Sequence, residues 1–104
     1  MKPACVCACG NPVVHSHHVT YRQTIVAARP ADLKAAIADE RNLVPVAFRC
    51  HANHHARSRP YALSMLPDSV FEFAAELLGP GKAYNRLRRV YVGEDARLDA
   101  LLSC

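Results

Sequence analysis

Asn42-Leu43-Val44-Pro45-Val46-Ala47-Phe48-Arg49-Cys50-His51-Ala52-Asn53-His54-His55 is the stretch on which the reading of this chain turns. An apolar run from Leu43 to Phe48 leads straight into a histidine-dense segment. The run reads as a strand, bent or at a sheet edge because Pro45 has no N–H to give to a ladder. A helix is expected to start near Cys50 or His51 and to end at Arg57-Ser58-Arg59-Pro60, where basic side chains suit a helix C-terminus. On that helix His51 and His55 share one face, one turn apart. Two imidazoles presented in this way suit one divalent cation. His54 lies about 100° round the helix from His55 and is the weaker ligand, although an i, i+3 pairing with His51 stays open.

Upstream, His15-Ser16-His17-His18 offers the remaining ligand, and all six histidines of the chain fall in these two clusters. Val13, Val14 and Val19 bracket the first cluster, and β-branched residues on both sides point to a strand. Between the clusters, residues 20–29 show no clean period, and Pro30 is expected to open a short helix with Leu33, Ala36 and Ile37 on one side. Before them, Cys5-Val6-Cys7-Ala8-Cys9 followed by Gly10-Asn11-Pro12 looks like a knuckle closed by a turn. Five cysteines is an odd count, and in a reducing compartment such crowding suits metal or free thiols better than disulfides.

Residues 61–104 change character and contain no histidine. Ser69-Val70-Phe71-Glu72 is a capping-box signature, with Val70, Phe73, Ala74 and Leu77 following at helical spacing. Gly79-Pro80-Gly81 is expected to end that helix. A second run over 82–92 sets Tyr84, Leu87 and Tyr91 on one stripe, and a third over 95–102 contributes Leu98, Leu101 and Leu102. These stripes read as packing surfaces.

A chain of 104 residues is one domain whose core alone is marginal, so a bound metal would add stability. An apolar fraction of 51% with 21% charged residues fits a soluble globular protein and argues against disorder. No apolar run has the length of a membrane span, and Met1 to Cys5 lacks the hydrophobic stretch of a signal peptide, so a cytoplasmic, intracellular protein is expected. The net charge of +4 is modest, but residues 1–31 and 41–67 contain no Asp or Glu. The histidine clusters thus lie in the basic parts of the chain, which would attract a polyanion, with an ordinary solvated basic face as the alternative.

Taken together, His17-His18-Val19, then Asn42-Leu43-Val44, then Cys50-His51 with His55 four residues on, resemble the HNH endonucleases. The order of the motif is kept over roughly residues 5 to 60, and Asn42 precedes His51 by nine positions as in that family. The resemblance implies an α+β fold, with a ββα-metal (His-Me finger) core over residues 1–60 and a C-terminal helical extension over 61–104 packed on it. It implies a metal-dependent DNA endonuclease that hydrolyses phosphodiester bonds. By the same resemblance His17, His51 and His55 are metal ligands, and His18 is the general base that activates water. Adjacent strand residues point to opposite faces, which agrees with giving His17 and His18 separate roles. A neutral imidazole is suited to accept a proton at neutral pH. Asn42 would tether the loop carrying the base, since an amide donates and accepts without titrating. The cation would polarise the scissile phosphate. His15 is left open between a partner of a ligand, a phosphate contact and a surface residue. Arg22, Arg57 and Arg59 are candidate phosphate contacts.

The cysteines depart from the family pattern. Many relatives carry two Cys-x-x-Cys pairs around a structural zinc; here Cys9 and Cys50 match the second members, while Val6 and Ala47 stand where the first would be. A four-thiolate zinc could still assemble from Cys5, Cys7, Cys9 and Cys50, with small buried thiols as the plainer reading, and Cys104 is expected to play no part. The expected cofactor is one divalent ion, Mg, Mn, Ni or Zn, and the expected partner is DNA, held mainly through its backbone with little sequence preference. The helical extension could serve a homodimer or docking on a larger phage or restriction assembly, an inference from family analogy alone. The rival reading is a non-catalytic zinc-binding module for nucleic acid or protein; an assembly protein using the helical tail is a third.

Overall fold

A bent two-stranded antiparallel sheet, with six α-helices around it, makes up the described residues of the computed structural model, which are 4–102. The architecture is therefore α+β. Strand β1 is Val13–His18 and strand β2 is Leu43–Ala47, paired so that His18 faces Leu43, His17 faces Val44 and Ser16 faces Pro45. The register slips between Val13 and His15, a bulge at the strand entry. Pro45 is tolerated because this sheet has two edges and no centre, and its carbonyl still accepts from the Val6 N–H at 2.8 Å.

Between the strands lie α1 (Arg22–Ala28) and α2 (Leu33–Ile37). The first has no periodic signature because only Ile25 is buried, so two turns of helix leave almost no apolar stripe to read. Arg29 ends it in the left-handed conformation. The second helix starts later than Pro30 suggested: Asp32 caps it, its carboxylate accepting from the Ala35 N–H at 3.0 Å. Leu33 lies exposed and no α2 side chain is fully buried, so α2 is not the amphipathic element expected.

Helix α3 (Phe48–His55) follows β2 without a loop. It begins two residues ahead of Cys50, with Phe48 as an exposed first residue. It ends at Ala56, after which Arg57 adopts a positive φ of 61° and the Ser58 and Arg59 N–H groups both return to the Asn53 carbonyl.

Helices α4 (Asp68–Leu78), α5 (Pro80–Val90) and α6 (Ala96–Leu102) follow. The expected capping box is not made. Pro67 occupies the N-cap, so Ser69 already lies inside the helix with no cap to offer. Gly79 alone separates α4 from α5, with φ at 86°, and Pro80 opens α5 at its first turn instead of closing α4. One cluster of buried side chains joins Val19, Val44 and Val46 of the sheet region to Leu63, Leu66, Val70, Ala74, Leu87 and Leu98. Sheet and C-terminal helices are thus packed around shared apolar residues, which fixes the end of α5 against β1.

Arg97 braces this C-terminal part. Its guanidinium donates to the Leu66 and Leu63 carbonyls at 2.6 and 3.1 Å, pairs with Asp95 and Asp68, and lies over the Phe71 ring at 4.4 Å. Replacing it leaves backbone carbonyls without their donor, so Arg97→Ala is expected to cost about 2 kcal/mol in urea unfolding. A midpoint equal to that of the wild type would show that these bonds contribute nothing net.

Candidate metal centre

The pairing of β1 with β2 and the direct entry into α3 bring His17 over the first turns of that helix. His17 Nδ1 lies 3.1 Å from His51 Nε2, and His55 Nε2 lies 2.9 Å from the same His51 nitrogen. These three atoms all fall within 4.8 Å of one another, close enough to hold a metal ion. Ligand nitrogens about 2.0–2.1 Å from a tetrahedral ion stand about 3.3 Å apart, so the spacing fits with little adjustment.

The hydrogen bonds around the site fix how each ring presents itself. The Tyr91 hydroxyl donates to the Val19 carbonyl at 2.6 Å, so its oxygen accepts from His17 Nε2–H at 2.8 Å. His17 Nδ1 is therefore left as a lone pair aimed at His51 and His55, the state that a metal ligand needs. Burial, followed by the neighbouring His54, His51 and His55, drives the His17 pKa down to about 2. Burial and the nearby His55 and His15 also lower that of His51. Both imidazoles are neutral at physiological pH, and a neutral ring can offer a ring-nitrogen lone pair to a cation.

Tyr91 was read from sequence as part of a packing stripe. It does pack in the core beside Leu87, and it is also the residue at which α5 stops: its backbone is extended, and its side chain reaches His17. The next residue, Val92, makes a short parallel bridge with Ala62, in which Leu63 N–H donates to the Val92 carbonyl and Val92 N–H to that of Tyr61. That bridge sets Tyr61 and Tyr91 on either side of the His54 ring, stacked at 4.5 and 5.1 Å. His54 is buried, and it stands outside the three-histidine group.

His18 also lies outside that group. Its Nε2–H donates to the Ile37 carbonyl at 3.1 Å, which leaves Nδ1 as the unprotonated nitrogen of the neutral ring. The short insert helix α2 thus supplies the acceptor that orients His18. Asn42, fully buried, clamps Thr20 with two bonds: its Oδ1 accepts from the Thr20 N–H at 2.7 Å and its Nδ2 donates to the Thr20 carbonyl at 2.9 Å. Its own carbonyl accepts from the Val19 N–H at 2.9 Å. The backbone just beyond His18 is therefore fixed to the start of β2. His15 is exposed, its ring tilted against Phe48 and His51.

His17, His18, His51 and His55 line an open cleft of about 440 Å³ together with Tyr21, Arg22, Gln23 and Ser16. Of the three candidate arginines, only Arg22 lines this cleft. Arg59 belongs to a separate groove with Arg49, Asn11 and Asn53 beside the cysteines, and Arg57 is exposed beyond the end of α3. Arg41 is not a free cation: it pairs with Asp39 and Glu76, bracing the turn before Asn42.

The cysteines form a second group. Sγ atoms of Cys5, Cys7, Cys9 and Cys50 lie within 4.8 Å of one another, with 3.4 Å from Cys5 to Cys7 and 3.2 Å from Cys50 to both Cys7 and Cys9. All four are free thiols. The chain turns over residues 5–8, where the Ala8 N–H donates to the Cys5 carbonyl at 2.8 Å, and Ala8 takes a positive φ of 58° before Cys9. The Asn11 N–H, then Cys50, lower the Cys9 thiol to about 6, while burial raises Cys7 and Cys50. At the position where a further thiol was missed, Ala47 supplies its N–H to Cys5 Sγ at 3.3 Å. Four sulfurs so placed could hold a metal ion. Cys104 lies outside the described residues.

The chain matches no protein-family model, no curated protein and no solved structure. Among the described residues no helix is long and apolar enough to cross a membrane.

Elemental analysis of the purified protein is expected to find two metal ions per chain, one for each group. Cys50→Ala should remove one and His51→Ala the other; loss of both ions from either variant, in folded protein, would contradict independent sites. Tyr91→Phe, which takes away the acceptor of His17 Nε2–H, should weaken the histidine site by about 10- to 100-fold in a competition titration with a chelator.

Proposed function

We propose that this protein is a metal-dependent DNA endonuclease of the HNH type, with β1, β2 and α3 as a ββα-metal core. The observation that carries this reading is the juxtaposition of three converging imidazole nitrogens with a fourth histidine, His18, that is oriented but does not converge on them. A structural site would have no use for that fourth ring, and a three-nitrogen set leaves coordination positions open for a reactant.

Residue by residue, the roles are as follows. His17, His51 and His55 hold one divalent cation, with zinc or nickel favoured by ligand type and magnesium or manganese also able to serve catalysis. That ion, when bound, supplies charge that polarises the scissile phosphate and steadies the leaving oxygen. His18 accepts the proton of the attacking water at Nδ1, its Nε2–H being kept in place by the Ile37 carbonyl. Water oxygen forms the new bond to phosphorus as the bond to the leaving oxygen breaks. Asn42 acts through its clamp on Thr20, holding the turn after His18 so that the base does not drift from the cleft. Arg22 lies in the same cleft, where it can contact a DNA phosphate without reading sequence. Cys5, Cys7, Cys9 and Cys50 hold a structural zinc.

That four-sulfur set favours a second reading, a zinc module that binds nucleic acid or protein without cleaving it. The two differ on His18. Metal-stripped protein is re-supplied separately with Mg²⁺, Mn²⁺, Ni²⁺ or Zn²⁺ and incubated with supercoiled plasmid. Nicking is expected with at least one ion, and His18→Ala should lower it by at least about 100-fold while keeping its fold by circular dichroism and its metal content. Intact plasmid with folded, metal-loaded wild type would hand the protein to the second reading. Equal nicking by His18→Ala would take the base role from His18.

A further inference from the structure

Tyr21, a residue of the cleft, has a hydroxyl hydrogen with no acceptor among the described residues. Tyr61 N–H donates to His54 Nδ1 at 2.9 Å, so the neutral His54 ring carries its proton on Nε2. That Nε2–H faces the Tyr21 hydroxyl oxygen at 2.8 Å, and Tyr21 must therefore accept there. A phenol keeps its own hydrogen at neutral pH, and among the described residues no acceptor for that hydrogen is found. His54 cannot rotate to change this, because the Tyr61 and Tyr91 rings clasp it on both faces, at interplanar angles of 18° and 16°.

Tyr21 is itself well fixed. It is the residue from which α1 starts, and its ring lies 5.6 Å from that of His17 and 5.4 Å from that of His55. The Arg86 guanidinium lies over the ring at 5.2 Å. Tyr21 lines the same cleft as the three ligands and Arg22, and no carboxylate lines that cleft. A divalent ion on three neutral imidazoles keeps its full charge, so the acceptor drawn into this space is an anionic oxygen.

We propose that Tyr21 is a substrate-binding residue: its hydroxyl, set by His54 to donate, binds a non-bridging oxygen of the phosphodiester at the histidine centre. The proposal rests on the phosphodiester reading above and adds to it a residue that the histidine and asparagine pattern does not contain. His54 is then a positioning residue, which explains why an imidazole beside the ligands is buried and bonded at both nitrogens.

The test uses Tyr21→Phe, which removes one oxygen and keeps the ring. Cobalt(II) is loaded into wild type and variant, and inorganic phosphate is titrated while the visible spectrum is followed. The variant is expected to bind cobalt with an unchanged spectrum and affinity but phosphate about tenfold more weakly, the usual loss for one hydrogen bond to a charged group. Plasmid nicking should fall by a similar factor or more. Equal phosphate affinity in the two proteins overturns the proposal, and so does a variant whose cobalt spectrum or cobalt affinity changes, since Tyr21 would then act on the ligands. Weaker phosphate binding with no nicking by wild type upholds Tyr21 as an anion contact while refuting the nuclease.

Discussion

The hydrogen bond from His17 Nε2–H to Tyr91 is the constraint on which the rest of the centre depends. It decides which nitrogen of a buried ring is left to meet His51 and His55, and it does so from 74 positions along the chain. Without a fixed acceptor, His17 could present either nitrogen, and burial would favour whichever found a partner. Tyr91 removes that choice because its own proton is taken by the Val19 carbonyl, two residues past His17. The C-terminal helices thus have a chemical task. Their packing against the sheet carries the Tyr91 oxygen to a place where the metal-binding geometry follows from it.

The same logic repeats around the cleft. Three imidazoles around the cleft have one nitrogen engaged by a group from another element: Tyr91 for His17, Ile37 for His18, Tyr61 for His54. The outer partner is a backbone group or a tyrosine and never a carboxylate. No carboxylate lines the cleft, so an ion bound there would keep its charge. A carboxylate in these positions would make a more basic ligand.

How much of this could be read in the sequence depends on how local each signal is. The grouping of His17, His51 and His55 was legible because an i, i+4 pair on a helix and an imidazole on a preceding strand are short-range patterns. The group of Cys5, Cys7, Cys9 and Cys50 was legible as a possibility, but its turn includes a positive φ at Ala8, which no propensity announces. Helix α1 was missed because seven residues with one buried side chain leave no period. The capping box at Ser69 was misread since Pro67 starts the helix two residues earlier. Tyr21 and Tyr91 were not legible as site residues, and His54 was legible only as a weaker ligand. Their roles come from tertiary placement, and a tyrosine at helical spacing looks the same whether it packs or donates.

Cys50 and His51 are neighbours in the first half of α3, and each belongs to a different ligand group. An ion held by the four sulfurs would therefore pin the start of the helix that bears two of the three imidazoles. The anchoring is reciprocal, because an ion in the histidine group would hold the same helix to β1 through His17. In a small core whose buried side chains are few, two such pins on one helix replace apolar area that the chain does not have. The cysteine group thus need not touch the histidine group to matter to it. By fixing α3 at Cys50, an ion held by the sulfurs would limit how far His51 and His55 can move from His17.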